Sequence, residues 1–141
     1  GGSAGDAQHL EAEFLGRFLK ERQPLPAIAL TTNASALTAI ANDYDYSDVF
    51  ARQLAGLAKS GDVLVGISTS GNSPNVTKAL EIAQEYQVKT IALTGQKDSK
   101  ASELADIAIQ VPSTATPRIQ EMHIAVGHTL CEIAENQLIQ E

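Results

Sequence analysis

The sequence predicts an α/β fold, a three-layer sandwich in which a mainly parallel sheet is flanked by helices. Short, almost continuously apolar runs alternate along the chain with longer segments of helical character. Continuous apolar runs are typical of strands that are buried on both faces of a parallel sheet. The 141 residues contain no internal repeat and no composition shift that would mark a second domain. We therefore expect residues 1–141 to form a single domain.

The first half of the chain is predicted to contain three helices, and in the first of them Leu10, Phe14 and Phe18 recur at four-residue spacing. A glycine-containing loop at 1–5 precedes the first helix, and Pro24 and Pro26 follow it. Residues 42–46 are expected to form a loop. The predicted helices cover residues 6–21, 34–41 and 48–59.

Four apolar runs are predicted strands, and further helices separate them in the second half of the chain. Pro74 follows Ser73, which places a proline at the first helical position behind a capping hydroxyl. The predicted strands cover residues 27–31, 63–67, 88–93 and 107–111. The predicted helices of this half cover residues 74–86, 101–105 and 118–140.

Composition and charge exclude several classes of function. The formal net charge is −7 and there is no basic cluster, so electrostatic binding of nucleic acid is not expected. No apolar run approaches the roughly 20 residues that span a bilayer, so we expect no membrane segment. Cys131 is the single cysteine, which excludes an intrachain disulfide and favours a reducing cytoplasm. Its expected role is that of a small core residue.

Residues 68–73 join a predicted strand to the start of a predicted helix. They contain four hydroxyl side chains and Gly71, and ligands of parallel sheets bind beyond the carboxyl ends of the strands. Hydroxyls and the free N–H groups of a helix start are good donors to phosphate oxygens. The segment lacks the lysine-containing pattern of a nucleotide-binding loop. From the residues alone, it is either a phosphate site or a polar turn with a helix cap.

His9 and Glu13 lie four residues apart on the first predicted helix, so they project from the same face. Such a pair can bind zinc or act as a general acid and a general base. It can equally belong to a solvated helix face. Arg17 is either an anion contact or a surface charge. On the last helix, Gln120 and His128 are two turns apart and could converge only on something large.

The remaining polar candidates can likewise have a structural or a functional role. His123 lies between Gln120 and His128, and a helix-packing role is expected for it. Asn42 and Asp43 are either part of a turn or a contact to sugar hydroxyls. Their spacing alone does not decide between these alternatives.

In their order and spacing, these segments together resemble the sugar isomerase (SIS) domain family, along the whole chain. The residues that carry the resemblance are Gly1, Gly2, Ser3, Asp6, Ala7, Gln8, His9, Glu13, Phe14, Arg17, Phe18, the run 26–30, Asn42, Asp43, the run 67–73 and the run 118–124. Within the family, they are similar to isomerases that act on sedoheptulose 7-phosphate. The fold that the resemblance implies is the flavodoxin-like or Rossmann-like sandwich of the family.

The resemblance also implies a role for each matching residue. Glu13 and His128 would be the catalytic proton-transfer pair. The implied zinc ligands, with one zinc ion in each subunit, are His9, Glu13, Gln120 and His128. The implied substrate-binding residues are Gly1, Gly2, Ser3, Glu13, Arg17, Asn42, Asp43, Ser68, Thr69, Ser70, Ser73 and Gln120. The implied assembly is a cytoplasmic homotetramer whose active sites are shared between subunits.

The resemblance implies an aldose–ketose isomerase that makes heptose 7-phosphate for lipopolysaccharide core or surface polysaccharide. Members of the family carry further helices and the first strand of the sheet before the position of Gly1, so we expect this chain to lack that part of the pattern. One rival is a non-catalytic member that binds the replication initiator. That branch lacks the equivalents of Glu13 and His128, which are both present here. Other rivals are a sugar-phosphate-sensing module and an α/β domain with no such site.

Overall fold

The computed structural model describes residues 1–138, which contain six α-helices and three strands. In chain order the elements are α1 (Gly2–Leu15), α2 (Ala34–Asp43), α3 (Ala51–Leu57), β1 (Val63–Ile67), α4 (Pro74–Glu85), β2 (Lys89–Thr94), α5 (Lys100–Leu104), β3 (Ile107–Gln110) and α6 (Thr116–Leu138), with a 3₁₀ turn (Tyr46–Asp48) between α2 and α3. The last two positions of the predicted helix 118–140 lie outside the described residues.

The three strands form one parallel sheet in the order β1-β2-β3, with Val65 opposite Ile91 and Ile91 opposite Ile107. Parallel pairing brings the carboxyl ends of all three strands to one edge. Leu80 of α4 and Ala101 of α5 pack against Ala92 on one face of the sheet. Helices α1 and α6 pack on each other. Helix α1 contacts β1, and α6 contacts β2. The prediction of a helix-flanked parallel α/β fold is confirmed.

The prediction of a strand at 27–31 is wrong. This segment pairs with none of the three strands, and Ile28 in it is exposed. Its polar backbone groups bond side chains instead, because the Leu30 carbonyl accepts from Gln53 Nε2 at 3.0 Å and the Ala29 carbonyl accepts from the Thr32 hydroxyl at 3.0 Å. A five-residue apolar run does not distinguish a strand from an extended segment packed on the core.

Both predicted ends of the first helix are also wrong. The helix begins at Gly2, so the predicted loop at 1–5 is its first turn, and it ends at Leu15 instead of residue 21. The N–H of Gly16 still bonds the Ala12 carbonyl, and the chain then turns away. Residues 18–20 give their N–H groups to a carboxylate on α6, which ends the helix well before Pro24 and Pro26.

Helices α1 and α6 run parallel and in close contact. A Cβ atom on Gly127 would lie 2.6 Å from the Leu10 side chain, and one on Gly2 would lie 2.5 Å from Gln120. Glycine at these two positions therefore lets the helices approach closely. The contacts advance in the same direction along both helices, so each turn of α1 faces one turn of α6.

A buried ion pair joins the segment after α1 to the end of α6. Arg22 Nε lies 2.7 Å from Glu135 Oε1, and both side chains are 2% exposed or less. Burial by itself raises the pKa of the Glu135 carboxyl. The hydrogen bonds from Leu19, Arg22, Lys20 and Phe18 more than offset burial and lower this pKa to about 2.

Because of this ion pair, the free energy of unfolding depends on pH in the acid range. The pKa of Glu135 is lower in the folded state than its ordinary value of 4.5, so its stabilising contribution is present above about pH 4.5 and is lost as the pH falls toward 2. We expect the free energy of unfolding in urea to decrease between pH 5 and pH 3. The decrease should be smaller in Glu135→Gln, and an equal decrease in both proteins would contradict the assignment.

Among the described residues, no helix combines the length and the apolar character needed to cross a membrane. Cys131 is buried, as expected for a core residue. Burial, followed by the nearby Glu13 carboxylate, raises the pKa of its thiol to about 11. The thiol therefore stays protonated at neutral pH and is a poor nucleophile.

Candidate active site

His9, Glu13 and His128 lie together where α1 faces α6. His9 Nε2 is 3.1 Å from Glu13 Oε1 and 3.4 Å from His128 Nε2. One ligand atom from each residue lies within 4.8 Å of the other two. The pair on α1 follows from its four-residue spacing, and His128 joins it because the two helices are parallel. The His9 side chain is 49% exposed and that of Glu13 23%, so this cluster is open to solvent.

The donor set of this cluster can hold a metal ion. Two imidazole nitrogens and a carboxylate oxygen are ordinary ligands of divalent metals, and zinc prefers a tetrahedron of about 2.0–2.1 Å bonds, whose edge is ~3.3 Å. The 3.4 Å between the two Nε2 atoms and the 3.1 Å between His9 and Glu13 are close to that edge. The cluster therefore has the donors and the spacing that such an ion requires.

Gln120, the fourth implied ligand, does not join the other three within this chain. It precedes His128 by eight residues on α6, which corresponds to about 12 Å along the helix axis. Its side chain packs against Gly2, at the start of α1. The chain alone thus assembles a three-residue cluster, and a role for Gln120 as a ligand stays a prediction.

Residues 68–73 form a tight loop of hydroxyls at the carboxyl end of β1. Ser68 Oγ lies 3.0 Å from Ser73 Oγ and 3.5 Å from Ser70 Oγ. Gly71 has a φ of +66°. A Cβ there would meet the Ser99 hydroxyl, so the turn requires glycine. The N–H groups of Gly71 and Asn72 bond Ser68 Oγ and Ser70 Oγ, and these bonds set the shape of the loop.

Ser73 caps α4 without a hydrogen bond from its own hydroxyl to the helix. Its Oγ faces the other loop hydroxyls, and together with Asn75 it lines an open cavity of about 330 Å³ whose opposite wall includes Asp45 and Tyr46. The positive end of the helix dipole lies at the same place. The loop therefore offers hydroxyl donors and a helix start to an anion.

This loop and the start of α6 lie side by side. A Cβ on Gly95, which follows β2, would meet the Thr69 carbonyl at 2.7 Å and Ile119 Cδ1 at 2.8 Å. Gln120 is the next residue on α6. Helix α6 therefore leads from the loop, past Gln120, to His128.

The other predicted substrate residues are not members of the three-residue cluster. Asn42 and Asp43 are at the end of α2, where the Asn42 amide donates to Asp43 at 2.9 Å, and they border an open cavity of about 590 Å³. Arg17 lies beyond the end of α1, and its Nε is 3.7 Å from the exposed carboxylate of Glu21. Gly1, Gly2 and Ser3 belong to the start of α1.

Sequence reasoning missed one buried ion pair and the burial of Asp6 beside the cluster. Glu135 and Arg22 were not singled out, because their pairing joins residues 113 positions apart. On α1, burial raises the pKa of Asp6, and the charges of His123 and His9 partly offset this effect. His123 is 1% exposed and its Nε2 donates to the Thr94 carbonyl at 3.0 Å. This contact agrees with the expected packing role of His123.

Comparisons with known proteins identify the family of this chain. The SIS domain model matches residues 1–95, and the chain belongs to the SIS domain family. Among curated proteins, it is 59% identical over 138 residues to the phosphoheptose isomerases of Rhodospirillum rubrum and Aliarcobacter butzleri. Each alignment covers 98% of this chain and 73% of the relative.

Solved structures give the same result. The phosphoheptose isomerase of Neisseria gonorrhoeae superposes with a TM-score of 0.89 at 48% identity, over 96% of this chain and 72% of the other. The phosphoheptose isomerase of Francisella tularensis superposes with a TM-score of 0.90 at 42% identity, over 94% of this chain and 71% of the other. The likeness to the SIS family is thus confirmed in both sequence and fold.

Proposed function

We propose that this protein is an aldose–ketose isomerase that converts sedoheptulose 7-phosphate to D-glycero-D-manno-heptose 7-phosphate. The observation that carries the proposal is the cluster of His9, Glu13 and His128, in a chain 59% identical to phosphoheptose isomerases. The product would enter the synthesis of nucleotide-activated heptose for lipopolysaccharide core or surface polysaccharide. A non-catalytic binding protein or a sensing module would have no use for a paired carboxylate and imidazole.

In the proposed reaction, the loop at 68–73 binds the phosphate of the open-chain ketose. One of Glu13 and His128 removes a proton from C1, and the electrons of that C–H bond form the C1–C2 double bond of an enediolate. The C2 oxygen, which carries the charge, then takes a proton and becomes a hydroxyl, and the C1 hydroxyl loses its proton. As the C1 oxygen becomes the aldehyde, the electrons of the C1–C2 double bond take up a proton at C2. A carboxylate and an imidazole both suit this work near neutral pH.

The metal that we propose for this cluster is zinc, held by His9, Glu13 and His128, with Gln120 as the fourth ligand. When bound, zinc would polarise the substrate oxygens and stabilise the enediolate charge. Two imidazoles and a carboxylate are more typical of a catalytic than of a structural zinc site. The role of the chain's own residues is to orient the substrate between the hydroxyl loop and the proton-transfer pair.

We also propose a cytoplasmic homotetramer with shared active sites. In it, the remaining candidate residues would contact substrate, and a Gln120 from another subunit could complete a cluster. Three apolar side chains of α6, about half exposed or more, support an interface on this helix: Met122, Ile133 and Leu138. Light scattering on the protein in solution would measure the assembly.

The proposed function is tested by incubating the protein with sedoheptulose 7-phosphate and following heptose 7-phosphate, before and after chelation and with zinc added back. We expect turnover that chelation removes and zinc restores. Turnover unaffected by a chelator that measurably strips the metal would overturn the zinc assignment and retain the isomerase. Absence of turnover by the folded, zinc-supplied protein would overturn the isomerase.

Replacing Ser70 by alanine is expected to raise KM on the order of 10-fold with a smaller change in kcat. The substitution removes one donor to a charged phosphate, and hydrogen bonds to charged groups contribute about 1.5–3 kcal/mol. Ser60→Ala is the matched control, because the Ser60 hydroxyl bonds Gln87 outside the loop. Steady-state kinetics measure the effect, and unchanged constants in Ser70→Ala would remove this hydroxyl from the phosphate site.

A further inference from the structure

We propose that Glu135 and Phe18 are positioning residues for His128, with Glu135 acting through Phe18. This inference rests on the proposed function, in which His128 transfers a proton. Neither residue is among the ligands or substrate contacts considered above. Together they determine where the imidazole ring of His128 lies relative to Glu13.

The imidazole of His128 is held between two rings. Phe18 stacks on it with the ring centroids 5.5 Å apart and the planes at 26°. His9 meets it edge to face, with centroids 4.9 Å apart and planes at 75°. A ring confined on its face and at its edge has few orientations left. This confinement keeps His128 Nε2 directed toward His9.

Phe18 owes its place to Glu135 and not to a helix. It lies beyond the end of α1, in a segment without regular backbone pairing. The Glu135 carboxylate accepts the N–H of Phe18 at 3.2 Å and those of Leu19 and Lys20 at 2.9 Å each. Glu135 follows His128 by seven residues, about two turns, so both lie on one face of α6.

Arg22 links the Glu135 carboxylate to the backbone of Glu13. Its Nε donates to Glu135, and its two other nitrogens donate to the Glu13 carbonyl at 2.8 Å and the Phe14 carbonyl at 3.0 Å. These bonds satisfy carbonyls at the end of α1 that have no partner within the helix. One buried ion pair thus fixes both the end of the helix that carries Glu13 and the segment that packs on His128.

The chemistry of the carboxylate explains why glutamate is needed. An ionised carboxylate only accepts hydrogen bonds, so it can take three N–H groups and a guanidinium together. Glutamine would present an NH₂ group to donors. A buried ion pair is a weak means of adding stability compared with apolar packing. Positioning the segment that carries Phe18 is a reason for a buried ion pair that adds little stability.

The first test separates the ring from the fold. Phe18→Leu keeps an apolar side chain and the N–H bonded to Glu135, but it removes the stacked ring. We expect kcat to fall on the order of 10-fold with KM within about twofold, since small misplacements of catalytic groups are costly in rate. Phe18→Tyr retains the ring and is expected to keep kcat within about twofold. Equal kcat in Phe18→Leu and wild type would overturn the proposal.

The second test asks whether Glu135 acts through Phe18. Glu135→Gln should also lower kcat with little change in KM. The double variant with Phe18→Leu should lose no more than about the larger single effect, because two residues in one connection are not additive. A loss of kcat in the double variant equal to the product of the two single losses would contradict the proposal. The control is Thr90→Val in β2, which removes the partly buried bonds between the Thr90 hydroxyl and Asp106 and is expected to destabilise the fold away from the cluster.

A spectroscopic readout keeps this inference independent of turnover. In protein labelled at histidine, the Cε1–H resonance of His128 should carry the ring-current shift of the Phe18 ring. We expect this resonance to move in Phe18→Leu and in Glu135→Gln, and to stay in place in Thr90→Val. No movement in Glu135→Gln would overturn the inference. If wild type shows the expected shifts but no turnover, the proposed function fails while the positioning contact stands.

Discussion

Replacement of Glu13 by glutamine is expected to lower kcat by about 10²- to 10⁴-fold and to leave the fold intact. Glutamine has nearly the same shape but cannot accept and return a proton at neutral pH. It is also a weaker metal ligand than a carboxylate. The Glu13 side chain bonds only His9 among the described residues, at 3.1 Å, so its loss removes little structural support.

The matched control for this prediction is Glu11→Gln, on the same helix and outside the cluster. We expect it to retain wild-type kinetics, so that a change of charge on α1 is not itself the cause. Melting temperatures of both variants should lie close to that of the wild type. Turnover by Glu13→Gln at a near wild-type rate would remove Glu13 from the mechanism.

Replacement of Arg22 by methionine is expected to have the largest effect on stability. The change leaves the Glu135 carboxylate buried without its cationic partner, which is far more costly than removing both groups. It also removes the bonds from Arg22 to the Glu13 and Phe14 carbonyls at the end of α1. We expect the melting temperature to fall on the order of 10 °C.

The double variant Arg22→Met/Glu135→Leu should recover part of this loss, because no isolated charge is then buried. Arg118→Met provides the control, since Arg118 pairs with Glu121 at the surface and such pairs contribute little. Calorimetry or circular dichroism measures the transitions. A fall in Arg22→Met no larger than in Arg118→Met would contradict the role of the buried pair.

The order of strands and helices in the second half of the chain could be predicted from the sequence. The predicted strands at 63–67, 88–93 and 107–111 agree with β1, β2 and β3 to within about a residue at each end. These runs are bounded by turn residues and are buried between helices, so local pattern and tertiary environment agree. The same pattern failed at 27–31, where the apolar run packs on the core without a strand partner.

The early end of α1 could not be predicted, because its cause is distant in sequence. The helical pattern continues through Phe18, yet Glu135, 117 residues further on, withdraws that backbone from the helix. Tertiary contacts of this kind override local propensity. The sequence contains no local signal for the partner.

The candidate site was predictable in part. His9 and Glu13 follow from helical spacing, and the loop at 68–73 follows from its hydroxyls at a strand end. The approach of His128 depends on the parallel packing of α1 and α6, which spacing does not reveal and which only the family resemblance implied. The position of Gln120, two turns from His128, follows from the same helix geometry. Within this chain, Gln120 therefore does not reach the cluster.

In the proposed reaction, Glu13 and His128 of the three-residue cluster move protons at C1 and C2. The most direct test is to convert sedoheptulose 7-phosphate in D₂O and to examine the aldose product by NMR. Because the Glu13 side chain is 23% exposed and the adjoining His9 side chain is 49% exposed, a proton held by Glu13 or His128 should exchange with solvent. We expect heptose 7-phosphate that carries deuterium at C2. Product without deuterium, or no product from folded protein, would contradict the proposed reaction.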